Sequence, residues 1–495
     1  MIILPSQVTE AITVLENAGF DAYIVGSCVR ELILGNNPQD FDIVTNAEIN
    51  DIMFAFRDYR ISDEDIKRGE ILVTVVGMII SVSPYRREVV GNRVMYADDL
   101  ETDLSRRGFT IDAMAYSPKE GLIDLYGGKS CLAGEEKRVV AIGENITRTT
   151  KDDKGRPVTE TYYDMARSFT TEPSRILRAI RYCAEREFVI DEPTRAAMRQ
   201  NVSCFEYAET DKVFKELSRI VMGKFATKVL ESYSDILKHV IPEIEPCIGF
   251  DQRSRYHEFD VWTHTARAVG FSVPEPAIRF AMLFHDLGKP DCCAVDSKGA
   301  AHYKGHGERS RLLAEGIMRR MGFDRRLADE ISWLVYHHDV KIPEERKELK
   351  KLIRNLGAED LKSLLQCEIA DNRAKKQDTE SADVQRLRGS LAALNEIIQT
   401  GECYDPSQLA VTKRELIDRR LVVSEAEADE LYNVLFEIVL DKPSFNTKLM
   451  LLDMAERSKQ KIEEMNAARE AALRERAEMN SRKNEPVFSK KKKKK

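Results

Sequence analysis

The sequence predicts an α+β protein in which a head with a small mixed sheet is followed by an all-helical body. Three observations carry this. β-Branched and apolar runs at residues 23–25, 41–45 and 71–82 are interleaved with helical spacing near the start of the chain. From Asp191 to Pro246 the apolar residues recur at helical intervals, as in Phe214, Leu217, Ile220 and Val221. An apolar fraction of 43% and a charged fraction of 32% fit a soluble, helix-rich chain, and 495 residues suggest three or four domains rather than one core.

Composition narrows the setting. No apolar run approaches the roughly 20 residues that span a bilayer, and the first residues are not a secretory signal, so no membrane partner is expected. The nine cysteines are scattered without a Cys-x-x-Cys, as reduced thiols in a cytoplasm would be. The net charge of −7 already includes six terminal lysines, so any nucleic-acid surface must be a local basic stripe.

Residues 6–19 form an amphipathic helix through Val8, Ile12 and Leu15. Tyr23 to Val25 then reads as a strand, Gly26-Ser27 as a turn, and Val29, Leu32 and Leu34 as the apolar side of a helix. The next strand displays Asp40 and Asp42. Alternation puts both carboxylates on one face and sends Phe41 and Ile43 to the core. Two such charges repel, and a divalent cation is the usual reason to tolerate them. Backbone N–H groups at Gly26-Ser27 can hold a phosphate. Carboxylates for metal beside donors for phosphate point to nucleotidyl transfer.

A short helix is expected at Ile49 to Phe56, and one or two strands within Ile71 to Val82. In residues 103–128, DLSRRGFTIDAMAYSPKEGLIDLYGG, Arg106 and Arg107 are suited to triphosphate oxygens by their permanently charged forks. Thr147 to Thr161 is polar, centred on Lys154-Gly155-Arg156-Pro157, and reads as an inserted loop. FTTEPSRILRAIRY, residues 169–182, reads as one helix burying Ile176, Leu177 and Ile180, with Pro173 near its start. Glu172 and Arg175 share one side of its first turn. Lys212, Lys215, Arg219, Lys224 and Lys228 can line a basic face of the helices that follow.

Histidines dominate the next segment: YHEFDVWTHT, FAMLFHDLGKPD and HYKGHGERS within residues 256–310, then His337-His338. His264, His285, His306, His337 and His338, five of the chain's eight histidines, are with Asp286 an odd collection for packing alone. Imidazole with carboxylate suits Mn, Fe, Ni or Zn.

The strand, Gly-Ser, Arg30 and D-F-D-I-V-T order resembles the nucleotidyltransferase core of the bacterial CCA-adding enzyme and poly(A) polymerase family, usually GGxxRD then D(F/I)DxxT. Ser27 replaces the second glycine, and Glu31 the aspartate. Residues 103–128 resemble the family's RRDFTxNAMAY, with Gly108 for Asp and Asp112 for Asn. Residues 169–182 resemble its FREDPLRILRALRF, with Thr171 and Glu172 for the two acids, and LAVTKRELIDRRL, 409–421, resembles its tail segment. The histidine series resembles the HD-domain metal phosphohydrolases, in the order H…HD…H…H…D.

The resemblance implies a polymerase-beta-like head and places Mg²⁺ on catalytic Asp40 and Asp42. Nucleotide contacts would come from Gly26, Ser27, Arg30, Arg106, Arg107, Asp112, Glu172 and Arg175, with Glu172 and Arg175 reading the edge that cytosine and adenine share. Ser81 falls where the superfamily carries a third carboxylate, and Asp112 is expected to supply the acid missing at Gly108. The second metal site would use His264, His285, Asp286, His306, His337 and Asp371 (in preference to Asp339), with Asp286 able to bridge two ions. The function implied is addition or repair of the tRNA 3′-CCA from CTP and ATP, with possible HD-domain hydrolysis. The alternatives are an HD-domain hydrolase with a degenerate head, or a polymerase adding poly(A) or only CC.

The expected domains are a head (1–143), base-reading and neck helices (144–250), an HD domain (251–395), a helical tail domain (396–480) and a disordered basic tail (481–495).

Overall fold

The structure is a computed structural model that describes residues 2–457 except 63–65, 67–68, 91–92 and 152–155. Residues 458–480 of the expected tail domain and the expected basic tail (481–495) lie outside the described residues. The chain forms two compact units, Met1–Asp339 with Ala370–Thr379, and Val340–Ile369 with Glu380–Lys495.

The first unit opens with α1 (Ser6–Asn17), whose Val8, Ala11, Ile12 and Leu15 are buried. β1 (Ala22–Val25), α2 (Ser27–Ile33), β2 (Phe41–Thr45) and α3 (Ile49–Ala55) follow, then β3 (Arg60–Ser62), β4 (Ile71–Val75) and β5 (Met78–Pro84). The hairpin β6 (Arg86–Val90) and β7 (Arg93–Tyr96), helix α4 (Leu100–Ser105), and strands β8 (Met114–Ser117) and β9 (Gly121–Asp124) complete the head. Seven strands form one mixed sheet in the order β3-β4-β5-β2-β1-β8-β9. Within this sheet, β2 and β5 alone pair in parallel among the described residues, in a register that sets Asp42 opposite Ser81. Phe41 and Ile43 are buried as alternation requires, while Asp40 is exposed just before the strand begins.

After α5 (Gly128–Leu132) and β10 (Arg138–Val139) the chain departs from its expected loop. Residues 147–151 and 157–161 lie in paired strands, β11 (Glu144–Lys151) with β12 (Pro157–Asp164), while 152–155, at the centre of the expected loop, lie outside the described residues. Threonines opposite one another, Thr147 with Thr161 and Thr149 with Thr159, join hydroxyls at 3.1 Å. β-Branched threonine favours strands without providing an apolar face, so the apolar alternation by which strands are recognised is missing.

The single helix expected at 169–182 is two: α6 (Ala166–Thr171) and α7 (Ser174–Arg186), with Glu172 and Pro173 between them. Pro173 lacks an N–H and sits where α7 begins, so the break costs no helical hydrogen bond there. Helices α8 (Glu192–Gln200), α9 (Thr210–Val221), α10 (Ala226–Ser232) and α11 (Ser234–Leu237) follow. Glu216 of α9 accepts from Arg178 (3.0 Å) and Arg181 (2.6 Å) of α7. Beyond them come α12 (Val261–Phe271), the almost wholly buried α13 (Pro276–Phe284), α14 (Lys289–Cys292), α15 (His306–Met321) and α16 (Arg325–His337).

In the second unit, a core built from Leu416, Leu431, Leu435, Phe436, Val439 and Leu451 joins the segment 413–418 to helix Glu425–Asp441. Thr412 and Glu415 close a reciprocal capping box at the start of that segment. Val434 and Leu449 are exposed. Among the described residues no helix is long and apolar enough to cross a membrane.

Candidate functional site

Asp40, Asp42, Gly26, Ser27, Arg30, Arg106, Arg107, Asp112, Glu172 and Arg175 all line one cleft of about 610 Å³. Gly26 turns the chain from β1 into α2 at φ +76°, and a Cβ there would lie 2.9 Å from Arg107 Nη1. Glycine thus serves both the turn and the close approach of a guanidinium. Among the described residues, neither Asp40 nor Asp42 has its carboxylate in a hydrogen bond or close ion pair. Burial raises the Asp42 carboxyl above its usual range, against the opposing charge of Arg107. Such a pair, one half-buried and both unpaired, suits a divalent cation.

The two arginines have an anchor that the sequence analysis overlooked. Asp103, fully buried on α4, accepts from Arg106 through one oxygen (3.1 and 3.2 Å) and from Arg107 through the other (2.7 and 3.0 Å). Burial alone would raise its carboxyl, but the charges of Arg107 and Arg106 outweigh burial and hold it at about 2. Its spacing of three and four residues from the two arginines was the available signal.

Asp112 Oδ1 is paired with Arg30 Nη1, and its Oδ2 accepts from the Tyr182 hydroxyl at 2.6 Å. These contacts tie the head to α7 at the wall of the cleft. Glu31 also serves position, meeting Arg30 at 3.3 Å, Asn36 at 2.8 Å and Arg186 at 2.8 Å. At Ser81 the nearby acid comes from another segment: Glu70 Oε2 lies 3.4 Å from Ser81 Oγ and 3.5 Å from Arg86.

Glu172 pairs with Arg175 at 3.1 Å and with Arg178 at 2.8 Å. Burial opposes its charge, but Arg178 and Arg175 outweigh burial and lower its carboxyl. Lys212, Lys215 and Arg219 line the same cleft, whereas Lys224 and Lys228 do not.

The histidines converge separately. His264, His285, Asp286 and Asp371 present ligand atoms within 4.8 Å of one another, as do Asp286, His306 and His338. Asp286 is common to both groups. His264 Nε2 lies 2.9 Å from Asp371, and His285 Nε2 lies 3.1 Å from Asp286. The Nδ1 atoms of His285, His306 and His338 sit 2.7–2.8 Å from the carbonyl oxygens of Met282, Tyr303 and Val335. Those bonds fix the rings so that Nε2 faces inward, the arrangement that metal ligands adopt. Burial disfavours charge on His285, but Asp286 and Asp371 outweigh it and push the ring up to about 10. A cation, whether proton or metal, belongs among these buried acids.

His337 is not part of this group, contrary to the expected ligand set. Its Nδ1 meets the Trp333 carbonyl at 2.8 Å, and its ring packs on Trp333 with centroids 4.4 Å apart. Successive helical residues point about 100° apart, so of two adjacent histidines only His338 faces the cluster. Asp371, chosen over Asp339, is one of the clustered acids.

Residues 22–139 match the family described as the Poly A polymerase head domain. Among curated proteins, the chain is 30% identical to the CCA-adding enzyme of Lactococcus lactis subsp. cremoris (strain MG1363) over 269 residues, 49% of this chain and 60% of that one. It is 29% identical to the CCA-adding enzyme of Leuconostoc citreum (strain KM20), covering 46% of this chain and 53% of that one. The match thus spans between half and three-fifths of these relatives' length. Among solved structures, it is similar to the Bacillus stearothermophilus CCA-adding enzyme in complex with CTP, with TM-score 0.64 and 19% identity over 93% of this chain and 100% of that one. It is also similar to the Thermotoga maritima CCA-adding enzyme complexed with tRNA, with TM-score 0.53 and 18% identity over 92% and 96% of the two chains. The fold is that of the CCA-adding enzymes: a mixed-sheet head and a helical body.

Proposed function

We propose that this chain is a tRNA nucleotidyltransferase that builds or repairs the 3′-terminal CCA from CTP and ATP in the cytoplasm. The observation that carries this reading is the convergence of two unpaired aspartates, an arginine pair anchored on buried Asp103 and the Glu172–Arg175 pair in one cleft. The tRNA 3′-hydroxyl would attack the nucleotide's α-phosphorus. A new P–O bond forms, the bond to the β-phosphate breaks, and pyrophosphate leaves. Asp40 and Asp42 would hold Mg²⁺, which when bound supplies positive charge for the triphosphate and favours ionisation of the attacking hydroxyl. Arg106 and Arg107, held rigid by Asp103, would meet the phosphate oxygens without reorganising. Glu172 would accept from the amino group, and Arg175 donate to the ring nitrogen, that cytosine and adenine share. Lys212, Lys215 and Arg219 would meet phosphates of the acceptor end.

The test is incorporation of each labelled nucleotide into tRNA ending at its discriminator base. Sequential C, C and A is expected, with at least about a thousandfold loss in Asp42→Ala. Incorporation of A alone would replace the reading with poly(A) synthesis, and incorporation stopping after CC would restrict it to CC addition.

The histidine cluster favours a second reading, a metal phosphohydrolase, because Asp286 is shared between two ligand groups. His264, His285, Asp286, His306, His338 and Asp371 would hold one or two of Mn, Fe, Ni or Zn. In the same assay series, phosphate released from a 2′,3′-cyclic RNA end and lost in Asp286→Asn supports it. No release with any of these metals excludes it.

A further inference from the structure

We infer that Gly108 is a positioning residue for base selection, because only a residue without a side chain lets Arg175 lie in the orientation it adopts. This rests on the base-reading role proposed for Glu172 and Arg175.

Arg175 is buried and crosses directly over Gly108. A Cβ at position 108 would lie 2.7 Å from Arg175 Cδ and Nε and 2.9 Å from its Cζ. These are the stem and centre of the side chain rather than its free end. Neither partner can readily yield. Arg175 Nη1 donates to the Ser168 carbonyl at 3.1 Å and Nη2 to the Arg106 carbonyl at 2.5 Å. Gly108's own carbonyl accepts from Ile142 N at 2.8 Å and from Ser168 Oγ at 3.3 Å, while that hydroxyl also reaches the Ile142 carbonyl at 2.5 Å. Gly108 has φ +86°, a conformation in which a side chain is strained in any case.

The residue before Glu172 is Thr171, exposed and uncharged, so no acid at 171 orients the guanidinium. The carbonyls of Ser168 and Arg106 hold its two terminal nitrogens, and the Glu172 carboxylate lies 3.1 Å from its Nε, an arrangement that passes over the bare position 108. One end of each terminal nitrogen is thereby fixed, which leaves the remaining N–H groups of the fork for a base. A side chain at 108 would lift Arg175 off the two carbonyls and change which nucleobase edges it meets.

The experiment is a double-mutant cycle of Gly108→Ala and Arg175→Ala in the full chain, reading kcat/KM for CTP, ATP, UTP and GTP. In the wild-type background Gly108→Ala should lower the preference for CTP and ATP over UTP by about tenfold or more, mainly through KM. In the Arg175→Ala background the same change should move that ratio less than about twofold. An unchanged ratio in Gly108→Ala, or an equal effect in both backgrounds, overturns the inference while leaving base reading intact. An unchanged ratio in Arg175→Ala alone removes the base-reading role and the inference with it. Asparagine tolerates positive φ better than alanine, so Gly108→Asn repeats the cycle if the alanine variant fails to fold.

Discussion

A single buried carboxylate organises the arginines of the cleft. Asp103 divides its two oxygens between Arg106 and Arg107, so losing it leaves two guanidinium groups without their partner in a poorly solvated place. Removing one member of a buried ion pair costs about 3–5 kcal/mol, and Asp103→Asn should lose about that much in urea unfolding and weaken nucleotide binding. The pH dependence is distinctive. The folded Asp103 titrates at about 2, below the usual carboxylate value. Its stabilisation is therefore fully present above pH ~4 and disappears as pH falls toward ~2. Wild-type protein should lose about 2 kcal/mol across that window on this account, and Asp103→Asn should lack this component. An identical acid profile for the two proteins would assign the anchoring elsewhere. His337 and His338 illustrate the same scale: both are histidines at a helix end, and a single step around the axis separates a ring packed on Trp333 from a candidate ligand.

Among elements, the β11–β12 hairpin stands apart. Its described threonine pairs face solvent, so it is held by its own ladder rather than by a core. Its base is fastened differently, since Gly143 N donates to the Tyr163 hydroxyl at 2.8 Å and Gly143 packs against the Asp164 carbonyl. Replacing Thr147–Thr161 by a two-residue Asn-Gly turn should therefore leave the melting temperature within about 4 °C. A larger drop would mean that the outer hairpin contributes to the core. The β2–β5 pair has the opposite character. A parallel pairing needs a crossover, here through α3, β3 and β4, and it brings Asp42 level with Ser81 although 39 residues separate them in sequence.

Across the whole molecule, the first unit holds both candidate sites, and they differ in what they require of a cation. The Asp40–Asp42 pair opens onto a cleft, where a metal can arrive with substrate. The histidine cluster is mostly buried, so a bound metal there is linked to folding. At about 100 times its dissociation constant, Mn²⁺ should stabilise the protein by about 2.7 kcal/mol and raise its melting temperature by a few degrees. Asp286→Asn should abolish that shift, whereas Asp42→Ala should retain it. A shift that survives in Asp286→Asn would locate the stabilising ion outside the cluster.

What the sequence determined by itself was local: strand, turn and helix from Tyr23 to Thr45, the Asp40–Asp42 spacing, the Glu172–Arg175 turn and the histidine-bearing helices. Alternation and helical periodicity act over a few residues, and they leave their mark in the order of side chains. The tertiary structure alone decided which distant groups meet. Arg30, Asp112 and Tyr182 join across gaps of 82 and 70 residues, and Asp371 returns to His264 from a much later helix. Only the folded chain shows that Arg175 lies over Gly108, or that His338 turns inward where His337 does not. Such meetings depend on how elements pack and how a helix is rotated about its axis, and neither is written in the spacing of any one segment.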